Sequence, residues 1–151
     1  MEGRYVIALD QGTTSSRAIL VDRAGSMVDC VQRSYPQIYP QPGWVEHNPQ
    51  EILYSQLGAL NELVVRHGLV AGDVAAIGID NQRETTIVWD KNTGEPVYNA
   101  LVWQDVRTGD IVREIADGDP AGTERYRQIT GENISTYPSA TKIKWILDNV
   151  E

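Results

Sequence analysis

A chain of 151 residues is long enough for one domain with a real hydrophobic core. Its formal net charge of −8 argues against nucleic acid and anionic membrane surfaces as partners, because both would repel it. The single cysteine, Cys30, excludes an intrachain disulfide and a multi-cysteine zinc site. No apolar run approaches membrane-spanning length, and Met1-Glu2-Gly3-Arg4 does not begin a secretory signal, so a cytoplasmic location is expected.

Three strand-like segments open the chain, at 4–10, 17–22 and 27–35, and their short connections predict an antiparallel meander. The first connection, Asp10-Gln11-Gly12-Thr13-Thr14-Ser15-Ser16-Arg17, carries a carboxylate, a glycine, four hydroxyls in a row and an arginine. Gly12 allows a tight turn or close approach of a ligand. Thr13, Thr14 and Ser15 set hydroxyls beside exposed backbone amides, the equipment that surrounds phosphate oxygens. Asp10, at a strand end, is placed to hold a hydrated Mg²⁺ through its waters. Arg17 could present a planar fork of donors to phosphate. Taken alone, the same segment reads equally well as an ordinary polar turn.

Residues 36–49 hold four prolines and read as an extended loop with Tyr39, Trp44 and Val45 to bury. Asn48 is a natural cap for a helix beginning at Pro49, with Glu51 set for a capping box and Gly68 as the stop. Leu53, Leu57, Leu60 and Val64 define its expected buried face. Val74–Ile79 is a buried-looking strand, and Thr85–Asp90 and Val97–Trp103 are expected strands around the turn at 91–94. Helices are expected near 105–117, 123–129 and 139–150. His47 and His67 are too isolated for a metal site, and Trp44, Trp89 and Trp145 read as packing residues. No repeat, Walker-type loop or Gly-x-Gly-x-x-Gly occurs.

Five blocks taken together carry more than any one of them. They are the Asp10–Arg17 turn; Pro42-Gly43-Trp44-Val45-Glu46-His47-Asn48-Pro49; Ile77–Trp89, with its Asn81-Gln82-Arg83-Glu84-Thr85-Thr86 centre; Asn99–Gln104; and Thr141–Leu147. In this order they resemble the glycerol-kinase branch of the FGGY carbohydrate kinase family, over nearly the whole chain. The resemblance implies an α/β, ribonuclease H-like fold of the actin and sugar-kinase ATPase superfamily, a mixed sheet with flanking helices. It implies that residues 1–151 are the N-terminal part of a first domain, left incomplete, with its remainder and a second domain beyond this chain. A crossover through the long helix would then set the strand near 76–79 parallel to the first strand.

The activity implied is ATP-dependent phosphorylation of glycerol to sn-glycerol 3-phosphate, with ATP and Mg²⁺ as cofactors and a homo-oligomeric parent enzyme. Residue by residue, Thr13, Thr14, Ser15 and Arg17 match the nucleotide phosphate loop, and Asp10 matches the carboxylate that acts through Mg²⁺. Arg83, Glu84, Trp103 and Tyr137 match polyol contacts, with Thr13 also near substrate and Arg83 counted with Asp10 as catalytic. A donor fork, an acceptor carboxylate, a phenol and a broad apolar wall suit a small triol. The family's general base, an aspartate, falls outside these residues. Asp80 does not match it, and Asp105-Val106-Arg107 departs from a more usual basic pair. The other readings are a kinase for another polyol or a pentulose, and a non-catalytic actin-like nucleotide-binding module.

Overall fold

A computed structural model describes residues 4–150, which form two compact units. The first contains the chain up to Pro36 together with Gln50–Gln82; the second contains Gln37–Pro49 and the chain from Arg83 onward.

The first unit is a four-stranded sheet covered on one face by a helix. Strands β1 (Tyr5–Gln11), β2 (Ser15–Asp22) and β3 (Met27–Ser34) form the antiparallel meander. Helix α1 (Pro49–His67) leads through a single 3₁₀ turn, Ala71–Asp73, into β5 (Val74–Asp80), which pairs parallel to β1. The strand order is β3-β2-β1-β5, so the expected crossover is present. Pairing of Ile7 with Leu20 and of Ala18 with Val31 puts these four side chains on one face. Ala59 and Leu63 of α1 close over them to make the core.

The helix is rolled relative to its expected face. Its buried stripe is Ile52, Ser55, Ala59 and Leu63, whereas Leu53 and Leu57 are 53% and 50% exposed. Leu60 and Val64 reach the core only partly. Small residues decide this: Ala59 lets the backbone approach the sheet, and Ser55 Oγ meets Ser16 Oγ at 2.7 Å. At its end, Gly68 takes a left-handed conformation (φ 56°), and the Leu69 and Gly68 amides donate to Val64 and Val65 carbonyls. That is a Schellman motif, and Leu69 packs on the core as such motifs favour.

The second unit has little sheet. Strands β4 (Glu46–His47) and β6 (Ala100–Leu101) pair antiparallel for two residues each. The strands expected at 85–90 and 97–103 are reduced to isolated bridges, Thr86 with Leu101 and Trp89 with Pro96. The two bridges are out of register with each other, and Pro96 has no amide to extend the ladder. Trp89, expected to pack, is exposed. Helix α2 (Gly109–Asp117) starts later than expected because the buried carboxylate of Asp105 holds residues 105–107 in a turn, accepting from the Arg107 amide and from Val45 N. The helix expected at 123–129 is a 3₁₀ turn, Gly122–Glu124, followed by the single-turn α3 (Arg127–Thr130). Helix α4 (Ser139–Asn149) follows the expected span.

Candidate active site

In the first unit, β1 and β2 enclose a three-residue turn, Gly12-Thr13-Thr14, closed by the Gly12 amide donating to Ser15 O at 3.0 Å. A Cβ on residue 12 would lie 3.0 Å from that same oxygen, so any larger residue there would press on the hairpin's own backbone. Thr14 is exposed and Thr13 half-buried. Ser15 is buried, and its Oγ accepts from Gln32 Nε2 at 3.0 Å. Arg17 Nη1 lies 2.6 Å from Asp10 Oδ2, and Arg17 Nε also donates to Gln32. Asp10, Arg17 and Asp80 share one row across the sheet, since Asp10 pairs with Arg17 on one side and with Asp80 on the other.

Sequence reasoning overlooked the residue that braces this turn. The buried phenol of Tyr35 donates to Gly12 O and accepts from Gln82 Nε2 at 3.1 Å and Gln11 Nε2 at 3.4 Å. Burial raises the phenol pKa, against the hydrogen bonds from Gln82 and Gln11. The only sequence cue was its place at the end of the third strand segment, beside a proline.

In the second unit, Glu84 is the junction. It is the one described non-glycine residue with a left-handed backbone (φ 65°), a conformation that costs about 1 kcal/mol or more and persists only where the surroundings enforce it. Its Oε2 accepts from both the amide and the hydroxyl of Ser139, at 2.6 and 2.8 Å. The carboxylate therefore sits on the N-terminus of α4, where unpaired amides and the helix dipole favour negative charge. Its neighbour Thr85 accepts from the Trp103 amide through Oγ1 at 3.3 Å. Tyr137 packs edge-on against Trp103, with ring centroids 6.0 Å apart. Glu84, Trp103 and Tyr137, from three separate segments, are thus brought together. Arg83 precedes them in sequence, exposed, and forms no ion pair among the described residues.

The second unit also holds a buried charge cluster. Arg107 contacts Glu46 at 2.7 Å and Asp105 at 2.8 Å, and its guanidinium lies 3.7 Å from the Trp44 ring centroid and 4.7 Å from that of Trp145. Tyr98 and Asn99 supply further donors to Glu46. Trp44 and Trp145 are therefore packing residues as expected, but what they pack is a cation. The departure at Asp105-Val106-Arg107 was the visible signal.

The family profile described as "FGGY family of carbohydrate kinases, N-terminal domain" matches residues 5–151. The chain belongs to the FGGY carbohydrate kinases. It is 59% identical over 152 residues to the glycerol kinase of Burkholderia pseudomallei (strain K96243), covering 100% of this chain and 30% of that protein. It is 56% identical over 151 residues to that of Paraburkholderia phytofirmans, with the same shares. Among solved structures, the Plasmodium falciparum glycerol kinase with ADP superposes with a TM-score of 0.87 at 32% identity, over 99% of this chain and 30% of that one. The xylulose kinase of Rhodospirillum rubrum gives 0.85 at 27%, over 97% and 30%. The chain therefore spans 30% of the length of the curated relatives it matches. Its mixed sheet has the FGGY, sugar-kinase fold expected from the sequence. Among the described residues no helix is long and apolar enough to cross a membrane, and no group of three or more His, Cys, Asp or Glu side chains could hold a metal.

Proposed function

We propose that this chain is the N-terminal part of the first domain of an ATP-dependent glycerol kinase, which makes sn-glycerol 3-phosphate and ADP. The reading is supported most directly by Glu84, held on the end of α4 by one oxygen, so that Oε1 can accept from a polyol hydroxyl. Arg83 supplies donors for another hydroxyl, Tyr137 a third polar contact, and Trp103 an apolar wall for the carbon chain. In the hairpin, Thr13 and Thr14 serve the nucleotide phosphates, with Ser15 supporting the turn from within and Gly12 admitting close approach. Asp10 fits a hydrated Mg²⁺, a hard cation that needs few protein carboxylates. Arg17, paired with Asp10 in the structure, would stand beside such an ion with its remaining donors available to phosphate oxygens. The metal would supply charge neutralisation; the chain supplies orientation. Location in the cytoplasm and homo-oligomeric assembly of the longer enzyme belong to the same proposal.

The test is a full-length chimera in which this chain replaces the matching segment of the Burkholderia pseudomallei glycerol kinase, assayed against glycerol, erythritol and xylulose. Glycerol should be preferred. Arg83→Ala should lower kcat/KM for glycerol by ~10–100-fold, the worth of a charge-assisted hydrogen bond. Preference for xylulose, or unchanged glycerol kinetics in the variant, would overturn the reading.

A further inference from the structure

Lys142, in the first turns of α4, is wholly buried at 0% exposure. It forms no ion pair among the described residues. Its Nζ donates instead to three consecutive carbonyls, Thr136 O at 2.7 Å, Tyr137 O at 2.5 Å and Pro138 O at 3.4 Å. An ammonium has three donors and no acceptor, so three acceptors satisfy it completely. Burying a charge is costly, and filling the same space would be done better by an apolar side chain. The arrangement therefore points to the segment whose carbonyls it gathers.

That segment carries Tyr137. On one side, the Ser139 amide and hydroxyl are held by Glu84; on the other, the Ile134 amide donates to Thr123 O. Between these anchors, residues 136–138 have no regular secondary structure of their own, and the ammonium is what draws their carbonyls to one point. Burial pushes the Lys142 pKa down to about 8, against the pull of Glu84 and Asp105, the charged groups acting on it. Asp105 is itself paired with Arg107.

We propose that Lys142 is a positioning residue of the polyol site, fixing the phenol of Tyr137 against Trp103 through the carbonyls of residues 136–138. The proposal rests on the assignment of Glu84, Trp103 and Tyr137 to polyol binding. Lys142 does not touch substrate, so its loss acts on ground-state binding and leaves the phosphoryl-transfer step alone.

Two measurements separate this proposal from the assignment beneath it. In the 151-residue chain labelled with 5-fluorotryptophan, Trp103 is assigned by its loss in Trp103→Phe. Lys142→Met should move that ¹⁹F resonance toward its position in Tyr137→Ala and leave those of Trp44, Trp89 and Trp145 in place. If Trp103 stays where it was, positioning is overturned whatever the site binds. Should Lys142→Met fail to fold, Lys142→Gln, whose neutral amide has two donors for the three carbonyls, takes its place with the same expected shift, and an unmoved Trp103 resonance overturns the proposal. In the full-length chimera, Lys142→Met should raise the glycerol KM ~10-fold with kcat nearly unchanged. That penalty should vanish in a Tyr137→Ala background, because both changes remove one contact. Where Tyr137→Ala itself raises KM, additive penalties or an unchanged KM in folded Lys142→Met enzyme overturn the proposal. If Tyr137→Ala alone leaves KM unchanged while Trp103 still responds to Lys142→Met, the polyol assignment fails and the positioning stands.

Discussion

Arg107 shows how a buried charge can be required without being a large source of stability. Its side chain and both carboxylate partners are out of solvent, and the two tryptophan rings add cation–π attraction. Removing the cation alone strands Glu46 and Asp105 in the interior. Arg107→Leu should therefore cost about 3–5 kcal/mol, read as a lower urea midpoint by tryptophan fluorescence. A triple change that also makes both acids amides should recover much of that loss. His47 sets a pH limit by the same logic. It is buried, Nε2 lies 2.6 Å from Gln37 Oε1, and burial pushes its pKa down to about 4 from the ordinary 6.5. The unfolded chain thus binds a proton that the folded chain refuses between these values. The contribution is complete above pH 6.5 and falls as pH drops toward 4, by at most about 1.4 kcal/mol per pH unit. Urea midpoints measured across that window should fall with acid in the parent chain and flatten in His47→Gln.

Helix α1 separates two sequence cues that usually coincide. Large apolar residues at helical spacing pick out Leu53, Leu57, Leu60 and Val64; the structure buries Ile52, Ser55, Ala59 and Leu63. Leu63→Ala should cost ~2–5 kcal/mol, and Leu57→Ala under about 1 kcal/mol, in matched urea titrations. Equal losses would restore the expected face. What was legible here was the existence, ends and type of the element, because Pro49 and Gly68 act locally. Its rotation was not, because that is set by contacts between Ser55 and Ser16 and between Ala59 and the sheet, far apart in sequence. The meander and the Gly12 turn were legible for the same local reasons, whereas the parallel crossover was reached through the family resemblance. The strands near residues 85–103 were not, since their apolar residues are committed to short bridges and to the turn around Asp105. The proposed polyol set rests on motif resemblance alone. That Glu84 caps α4 and that Lys142 ties residues 136–138 depends on tertiary geometry, which no spacing rule encodes.

For the chain as a whole, net negative charge and an open sheet edge pull in opposite directions. Among the described residues β5 has β1 as its only neighbour, and it exposes Ile77 at 53% and Ile79 at 77%. An apolar edge strand of this kind is a template for pairing with another chain, while a charge of −8 disfavours close approach. Salt screens the repulsion and leaves the edge untouched. Light scattering should therefore show self-association that rises with ionic strength and protein concentration, and Ile79→Lys should suppress it. The same 151 residues should not phosphorylate glycerol at an enzymatic rate. Glu84, the acid beside Tyr137 and Trp103, is engaged by Ser139, and the family resemblance puts the general base elsewhere. General-base assistance is worth ~10²–10⁴-fold, and closure of a second domain on the reactants would add alignment and exclusion of water. A coupled ADP-release assay with ATP, Mg²⁺ and glycerol should read background, identical in an Asp10→Ala control. Glycerol-dependent turnover that disappears in that control would place the base within this chain. Asp80, next to Asp10 across the β1–β5 pairing, would be the first carboxylate to replace.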